Sequence, residues 1–180
     1  FETFWGVSLS AEPGLRIPNM LDEAVEGRFK GLYIQGEDIA QSDPNTKHVT
    51  SGLRNMECVI IQDLFLNETA KYAHVFFPGS SFLEKDGTFT NAERRISRVR
   101  KVTPSLSGLA DWEITLRFAK ALGYEMTYDH PSQIMDEIAR LTPTFAGVSY
   151  AKLDELGSVQ WPCNEAAPQG TPIMHIDRFV

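Results

Sequence analysis

The sequence predicts an α/β fold in which crossover helices connect the strands of a parallel β-sheet. Three observations lead to this prediction. Amphipathic helical segments alternate with short apolar strands between residues 17 and 81, the connections between them are short, and each apolar strand ends in polar residues. This alternation is typical of a parallel sheet, because the chain needs a crossover to return to the same edge.

The first helix and strand come from residues 17–38. Apolar side chains over residues 17–25 recur at a helical spacing, and Pro18 suits a first helical turn. The apolar residues 32–34 then predict a buried strand, which ends in the polar sequence of residues 35–38.

Two further helices and strands follow in the same order. Asp43 and Pro44 fit the N-cap and the first turn of one helix, and Asn67 fits the cap of a short helix through Tyr72. We therefore expect three parallel strands in one sheet, with right-handed crossovers and helices on both faces. The predicted strands are residues 32–35, 58–62 and 74–77.

The pattern changes after Ser81. Residues 84–102 alternate weakly and contain the turn signal Asp86-Gly87, which predicts extended segments or a long ordered loop. Two C-terminal helices are predicted at residues 111–122 and 132–141, where apolar side chains return to a helical spacing.

Beyond Pro143 the sequence predicts irregular structure, because prolines and glycines recur there. We therefore expect an α/β domain at residues 1–145, followed at residues 146–180 by an irregular tail or linker toward a following domain. The first residue is Phe1 instead of methionine, and we expect the chain to be an excerpt from a longer polypeptide.

Composition and charge exclude several classes of protein. The 180 residues are 42% hydrophobic and 23% charged, which supplies apolar material for a core and argues against disorder. The chain has 17 basic and 24 acidic residues, and its net charge of −7 argues against a general nucleic-acid binder. No apolar run approaches the ~20 residues of a membrane span.

The chemistry-bearing residue types narrow the function further. The two cysteines, Cys58 and Cys163, form no zinc pattern and indicate reduced thiols in a cytoplasmic protein. The four histidines do not cluster at ligand spacing, so we expect no metal held by side chains of this chain. The glycine-rich fingerprints of simple NAD-binding domains and P-loop enzymes are missing from the sequence, as is the nucleophile elbow of hydrolases.

The polar strand ends are the candidate site, because ligands of an open parallel sheet bind outside the carboxyl ends of its strands. Asp63 follows a buried strand and lies at its rim. A carboxylate there accepts two parallel N–H bonds, which guanine offers through its ring N–H and its exocyclic amine. The alternative is that Asp63 caps the next helix or pairs with a lysine.

Five segments occur in one order over residues 17–125. They are residues 33–38 with 42–44, 59–70, 74–78, 84–95 and 111–112. They resemble, in turn, the G-E-N/D-P-x-x-S-D-P segment, the next strand and helix, the A-D-V-V-L-P strand, the E-K-E/D-G-T-F/Y-x-N-x-E-G/R-R motif and the D-W helix start of molybdopterin oxidoreductases.

The resemblance implies a specific fold and cofactor. Members of this family have four domains and bind a bis(molybdopterin guanine dinucleotide) cofactor that carries molybdenum or tungsten. This chain resembles the third domain, a Rossmann-like three-layer α/β domain that holds one guanine dinucleotide arm. Residues 156–163 resemble the catalytic (alpha) subunits of formate dehydrogenases most, with nitrate reductases as the neighbouring option.

The resemblance also implies which residues contact the cofactor. The residues that match the family's nucleotide contacts are Asp38, Gln62, Asp63, Lys85 and Asp111. This sequence departs from the family pattern at two positions. Asp38 stands where asparagine is commoner, and Ile39 stands where the family usually has proline. The family's metal-ligating cysteine or selenocysteine, its catalytic His and Arg and its iron–sulfur cysteines lie upstream of this segment. We therefore assign no catalytic or metal-ligating residue to this chain.

The expected function is the cofactor-binding portion of an enzyme that oxidises formate to CO2. Electrons would pass to iron–sulfur clusters elsewhere in the parent enzyme. Expected partners are the other domains of the same subunit, electron-transfer subunits and the substrate formate, and we expect the isolated segment to be inactive. The alternatives are a nitrate reductase relative and a cofactor-free scaffold similar to the large subunit of respiratory complex I.

The basic window at residues 94–101 holds five basic side chains and no acid. We expect it to be extended, not helical, and to lie near the cofactor or a partner-domain surface, because a local positive patch suits an anionic ligand or an acidic partner. The alternative is a solvated face that pairs with nearby carboxylates.

Overall fold

In the computed structural model, which describes residues 1–175, the chain divides into two units, Phe1–Ser80 and Ser81–Val180. The first unit contains four α-helices, one 3-10 helix and three strands. In chain order these are α1 (Glu2–Trp5), α2 (Ile17–Val25), β1 (Gly31–Gln35), α3 (Ile39–Ser42), α4 (Thr46–Asn55), β2 (Cys58–Asp63), the 3-10 helix (Thr69–Tyr72) and β3 (Val75–Pro78).

The sheet of the first unit has the strand order β1-β2-β3, and both pairs of neighbours are parallel. Ile34 of β1 pairs with Ile61 of β2, which pairs with Phe76 of β3. The predicted parallel strands and the α/β class are therefore confirmed. Because the strands are parallel, the polar ends of β1 and β2 meet at one edge of the sheet.

The core of the first unit lies on one face of this sheet. Ile34, Val59 and Ile61 point to that face and pack against buried side chains of α2 and α4, among them Leu21 and Leu53. Tyr33, Ile60 and Phe77 alternate with them and are half-buried on the opposite face. Within residues 1–80, α2 and α4 supply most of the helical side chains buried in this core.

The second unit contains a small antiparallel sheet with the strand order β4-β5-β6. Its elements are β4 (Gly87–Thr90), β5 (Arg95–Val99), α5 (Asp111–Ala121), α6 (Pro131–Leu141), a 3-10 helix (Pro143–Phe145), α7 (Tyr150–Leu156) and β6 (Ser158–Gln160). Ile96 pairs with Val159 at the centre of the sheet, and both pack against Leu153 and Cys163 in a buried cluster. The extended structure predicted at residues 84–102 and the helices predicted at 111–122 and 132–141 are confirmed.

The irregular structure predicted at residues 146–180 is wrong for part of that range, since α7 and β6 lie within it. Ser149 begins α7 by accepting a hydrogen bond from the N–H of Lys152, and Val159 is 1% exposed in β6. Burial against β5 stabilises these short elements despite the prolines that follow them. Residues 176–180 of the predicted tail lie outside the described residues, and the assignment of residues 1–145 to one domain and 146–180 to a linker stays a prediction.

Candidate functional site

The candidate site begins where β1 and β2 end. Gly36 follows β1 with a backbone φ of +65°, and its N–H donates to the carbonyl oxygen of Gln62 over 2.9 Å. A Cβ atom at Gly36 would meet nothing within 4 Å. Glycine suits this turn because it adopts a positive φ without steric cost. The edge of the sheet is therefore open above Gly36, with room for a ligand to approach the backbone.

Asp63, the last residue of β2, has a carboxylate that its own loop occupies only in part. Its Oδ1 accepts from the N–H of Leu64 over 2.6 Å, and its Oδ2 accepts from the side-chain amide of Asn67 over 3.0 Å. An ionised carboxylate offers about four acceptor positions. Each oxygen of Asp63 therefore keeps one position for a further N–H donor.

The two alternative roles considered for Asp63 were a cap of the next helix and an ion pair with a lysine. The side chain of Asn67 accepts from the N–H of Ala70 over 2.9 Å, so Asn67 supplies the side-chain bond to the following 3-10 helix. Within residues 1–175 no lysine forms an ion pair with Asp63. Within these residues Asp63 accepts from Leu64 and Asn67 of its own loop.

Gln62 is buried, with a side chain on the opposite face of β2 from Asp63. Its side-chain oxygen accepts a hydrogen bond from the hydroxyl of Tyr33 on β1. The two residues predicted as a nucleotide-binding pair therefore project from opposite faces of the strand, and the side chain of Gln62 fixes β2 against β1.

Asp38 lies in the loop after β1 and has a carboxylate filled by protein donors. Its Oδ1 accepts from the N–H and the hydroxyl of Thr69, over 3.0 and 2.5 Å. Its Oδ2 accepts from the side chain of Gln41 over 2.9 Å and from the N–H of Glu68 over 3.4 Å. Partial burial opposes ionisation, but the hydrogen bonds from Thr69, Glu68 and Gln41 outweigh it and hold the pKa of Asp38 below its ordinary value.

Lys85 and Asp111 belong to the second unit and pair with each other. The ammonium of Lys85 donates to Oδ2 of Asp111, and the two side chains are 22% and 18% exposed. Asp111 opens α5, where a negative charge interacts favourably with the helix dipole. Of the five predicted site residues, three thus lie at the ends of β1 and β2, with the side chain of Gln62 on the opposite face from Asp63, and the other two form an ion pair.

Glu84, next to Lys85, orders the loops around that pair. Its carboxylate accepts from the N–H groups of Ser81 and Leu106, over 2.8 and 2.9 Å. These backbone hydrogen bonds lower the pKa of Glu84 from its ordinary value. Glu84 therefore links two segments of the second unit on either side of the β4–β5 hairpin.

The basic window is extended, as predicted, because it forms β5. The side chain of Arg98 is only 9% exposed, and its guanidinium carbon lies 3.8 Å from the ring centre of Tyr150. Arg98 and Arg100 both donate to Asp154, over 3.1 and 2.6 Å. These arginines therefore pair with a carboxylate of their own unit, which is the alternative that the sequence left open. Their nearness to a cofactor or a partner domain stays a prediction.

Arg94 explains one feature of the motif at residues 84–95, which has glycine or arginine at this position. Its φ of +66° lies in the left-handed region that favours glycine. The guanidinium of Arg94 donates to the carbonyl oxygens of Trp161, Thr171 and Pro172. This side chain connects the segment after β6 to the hairpin. A glycine, which has no side chain, would not make these hydrogen bonds.

Thr69 is the residue of this site that sequence reasoning missed. It is 0% exposed, and it bonds to Asp38, which is 31 positions away along the chain. A single threonine in a short helix carries no periodic signal, and the pairing of two loops is set by the strand order. The one signal available was the predicted parallel pairing of β1 and β2, which brings the loops that follow these two strands close together.

The family of the chain follows from comparison with known sequences. Residues 6–121 match the family model described as molybdopterin oxidoreductase. Because the match covers more than half of the chain, this chain belongs to the molybdopterin oxidoreductase family. The resemblance inferred from the motifs is confirmed.

Formate dehydrogenases are among the named relatives. The chain is 42% identical over 183 residues to the F420-dependent formate dehydrogenase subunit alpha of Methanocaldococcus jannaschii, with 100% of this chain and 27% of that protein covered. It is 44% identical over 182 residues to a putative formate dehydrogenase of Staphylococcus haemolyticus, with 99% and 18% covered. The chain thus spans only 18% to 27% of the length of these relatives.

A solved structure shows the same fold. Acetylene hydratase from Pelobacter acetylenicus superimposes with a TM-score of 0.64 over 88% of this chain and 24% of that chain, at 14% sequence identity. At this identity the likeness establishes the fold alone. Within residues 1–175, no helix is both long and apolar enough to cross a lipid bilayer.

Proposed function

We propose that this chain is the guanine dinucleotide-binding portion of a molybdenum- or tungsten-dependent formate dehydrogenase. Two observations support the proposal: the chain belongs to the molybdopterin oxidoreductase family, and it is similar to proteins named formate dehydrogenase. The whole enzyme would oxidise formate to CO2 and pass the electrons to iron–sulfur clusters. The bound metal would supply the two-electron chemistry, whereas this chain would supply binding and electrostatics.

Asp63 is the observation that carries the nucleotide assignment. The two open acceptor positions on its carboxylate match the two N–H donors on one edge of guanine. An exposed turn at Gly36, with nothing near the position of a Cβ, lies at the same edge of the sheet. The donor and acceptor chemistry of this edge therefore fits a guanine nucleotide.

The remaining predicted residues have separate roles in the proposed site. Gln62 holds β1 and β2 together through Tyr33, and Lys85 offers a cation for a phosphate or ribose oxygen while Asp111 orients it. Asp38 completes the strand-end loop. All five are proposed as parts of the cofactor site of the full-length protein, and none is proposed to touch the substrate.

The proposal places the reacting groups outside this chain. The metal ligand and the groups that assist formate oxidation would come from other parts of the same polypeptide, and electron-transfer subunits would accept the electrons. We further propose a cytoplasmic location on the basis of the two unpaired cysteines, Cys58 and Cys163. The isolated chain is expected to be inactive.

The test is metal and nucleotide analysis of the purified full-length protein, together with assays for formate-dependent and nitrate-dependent electron transfer. The proposal expects molybdenum or tungsten, two guanine dinucleotides per metal atom, and reduction of an artificial acceptor by formate. A loaded protein that reduces nitrate and leaves formate unchanged would identify the nitrate reductase alternative. A protein with neither metal nor guanine nucleotide would be the cofactor-free scaffold.

A further inference from the structure

Thr69 lies at the centre of a hydrogen-bond network that joins two strand-end loops. Its side chain is fully buried. Its hydroxyl donates to Oδ1 of Asp38 over 2.5 Å and accepts from the N–H of Ala40 over 3.0 Å. An amide N–H can only donate and a carboxylate can only accept, so the direction of both hydrogen bonds is fixed.

Both sides of this network belong to the candidate site. Asp38 and Ala40 lie in the segment that follows β1, whereas Thr69 ends the segment that follows β2. That second segment also contains Leu64 and Asn67, which hold the carboxylate of Asp63. Thr69 therefore connects the loop beside Gly36 with the loop that orients Asp63.

The carboxylate of Asp38 has no acceptor position left for a ligand. Four protein donors reach it, and a carboxylate offers about four positions. A nucleotide hydroxyl or amine could bond to it only by displacing a donor from Thr69, Glu68 or Gln41. By contrast, Asp63 accepts from two donors and has capacity for two more.

We propose that Thr69 is a positioning residue for nucleotide binding and that Asp38 acts through it, without touching the nucleotide. This inference rests on the proposed function. In the network, Thr69 fixes the loop after β1 and the loop after β2 in one arrangement. The carboxylate of Asp63 and the open turn at Gly36 are then held ready for the ligand before it binds.

The test uses the full-length, cofactor-loaded protein with two substitutions at Thr69. Thr69→Val keeps the shape but removes the hydroxyl, which leaves the N–H of Ala40 without its acceptor and Asp38 with one donor fewer. Thr69→Ser keeps the hydroxyl and is the matched control. The rate of guanine dinucleotide loss is measured well below the melting temperature of each apo-protein. We expect loss about tenfold faster for Thr69→Val, and a rate close to wild type for Thr69→Ser.

A double-mutant cycle separates positioning from direct contact. If Asp38 acts through Thr69, Asp38→Asn and Thr69→Val together accelerate cofactor loss hardly more than either change alone. Additive effects of the two substitutions would show that Asp38 contacts the nucleotide directly and would overturn the inference. A Thr69→Val protein that melts earlier yet loses its cofactor at the wild-type rate would also overturn it, because Thr69 would then serve the fold alone.

The outcomes also distinguish the inference from the function on which it rests. Wild-type protein without guanine nucleotide would refute the proposed function and this inference together. Wild-type protein with nucleotide, combined with an unaffected Thr69→Val variant, would refute the inference alone. Should Thr69→Val not accumulate as folded protein, Thr69→Ala also removes the hydroxyl and takes its place in the cycle with Asp38→Asn, where additive effects would again overturn the inference.

Discussion

The loops after β1 and β2 end neighbouring strands, and each presents a carboxylate, yet the two carboxylates differ in what they can still do. Asp38 accepts from four protein donors, whereas Asp63 accepts from two. Position at the carboxyl edge of a parallel sheet is the same for both. The difference teaches that two carboxylates at the same sheet edge can differ in the number of unfilled acceptor positions, and this number is the basis on which we propose Asp63 and not Asp38 as the ligand-binding group.

The largest expected effect comes from Asp63→Asn in the full-length protein. The asparagine has the same shape, but its NH2 group faces a donor of the guanine edge. Loss of a charge-assisted pair costs about 1.5–3 kcal/mol, and a mispaired donor adds a similar amount. We expect cofactor affinity to fall by roughly tenfold to several hundredfold, measured as guanine and metal content after purification.

Two controls accompany Asp63→Asn. Asp136→Asn changes an exposed aspartate of α6 and is expected to leave cofactor content unchanged. The melting temperature of apo-Asp63→Asn is expected to stay close to wild type, because the carboxylate lies at a rim. Full loading together with a much earlier apo melt would show that Asp63 is structural and would reverse the comparison with Asp38.

The second prediction concerns Arg98 in the second unit, which pairs with Asp154 and lies over the ring of Tyr150. Arg98→Lys keeps the charge but loses the planar stack on Tyr150 and the two-oxygen contact with Asp154. We expect the opening free energy of β5 and β6 to fall by about 2 kcal/mol. Hydrogen exchange of these strands in the full-length protein measures it.

Arg100→Lys is the matched control for Arg98→Lys. Arg100 donates to the same aspartate, but its side chain is 61% exposed. Exposed ion pairs contribute little, so this change is expected to alter the opening free energy by less than about 0.5 kcal/mol. Equal effects of the two substitutions would contradict the role given to burial and stacking.

The third prediction uses pH to test the hydrogen-bond network around Asp38. The pKa of Asp38 is lowered in the folded protein by its hydrogen bonds, which outweigh the opposing effect of burial. A lowered pKa contributes stability above the unfolded-state pKa, near 3.9, and this stability is lost as the pH falls through the lower folded-state pKa. Protection of the Thr69 amide should therefore decrease below about pH 4.

Hydrogen exchange of the amides of Glu68 and Thr69 between pH 2 and 6, normalised to unfolded-chain rates, measures this loss. Asp38→Asn removes the titrating group, so its protection is expected to be lower at pH 6 and nearly independent of pH. The wild type and the variant should then converge at low pH. Parallel pH profiles for the two proteins would contradict the charged network around Asp38.

The fold was predictable where the sequence carries a period. The strands at residues 32–35, 58–62 and 74–77 alternate with helical patterns, and their parallel pairing followed from short connections. By contrast, α7 has seven residues and β6 has three, which is too short for a clear period. Their stability comes from the burial of Leu153 and Val159 beneath β5, a contact between residues distant in sequence.

The site was predictable only at the level of position. Strand ends predicted Asp38, Gln62 and Asp63, because parallel strands bring their carboxyl ends to one edge. The sequence did not predict how many donors each carboxylate accepts, since that depends on loop backbone geometry. It also did not predict Thr69, whose contact with Asp38 joins two loops and has no local pattern.

The smallest expected effect compares two glycines, one in each unit. Gly36 and Gly157 have φ values of +65° and +78°, and a Cβ at either position would meet nothing within 4 Å. Substitution by alanine therefore strains the backbone of each unit, by about 1 kcal/mol or more, with no clash added. The difference between them lies in the ligand: a methyl group at Gly36 projects into the open edge proposed for the nucleotide. We expect Gly36→Ala to lose cofactor affinity about fivefold and Gly157→Ala to keep the wild-type affinity. Equal affinities of the two variants would show that the edge beside Gly36 does not face the ligand. The nucleotide proposed to bind Asp63 would then have no contact surface at this turn.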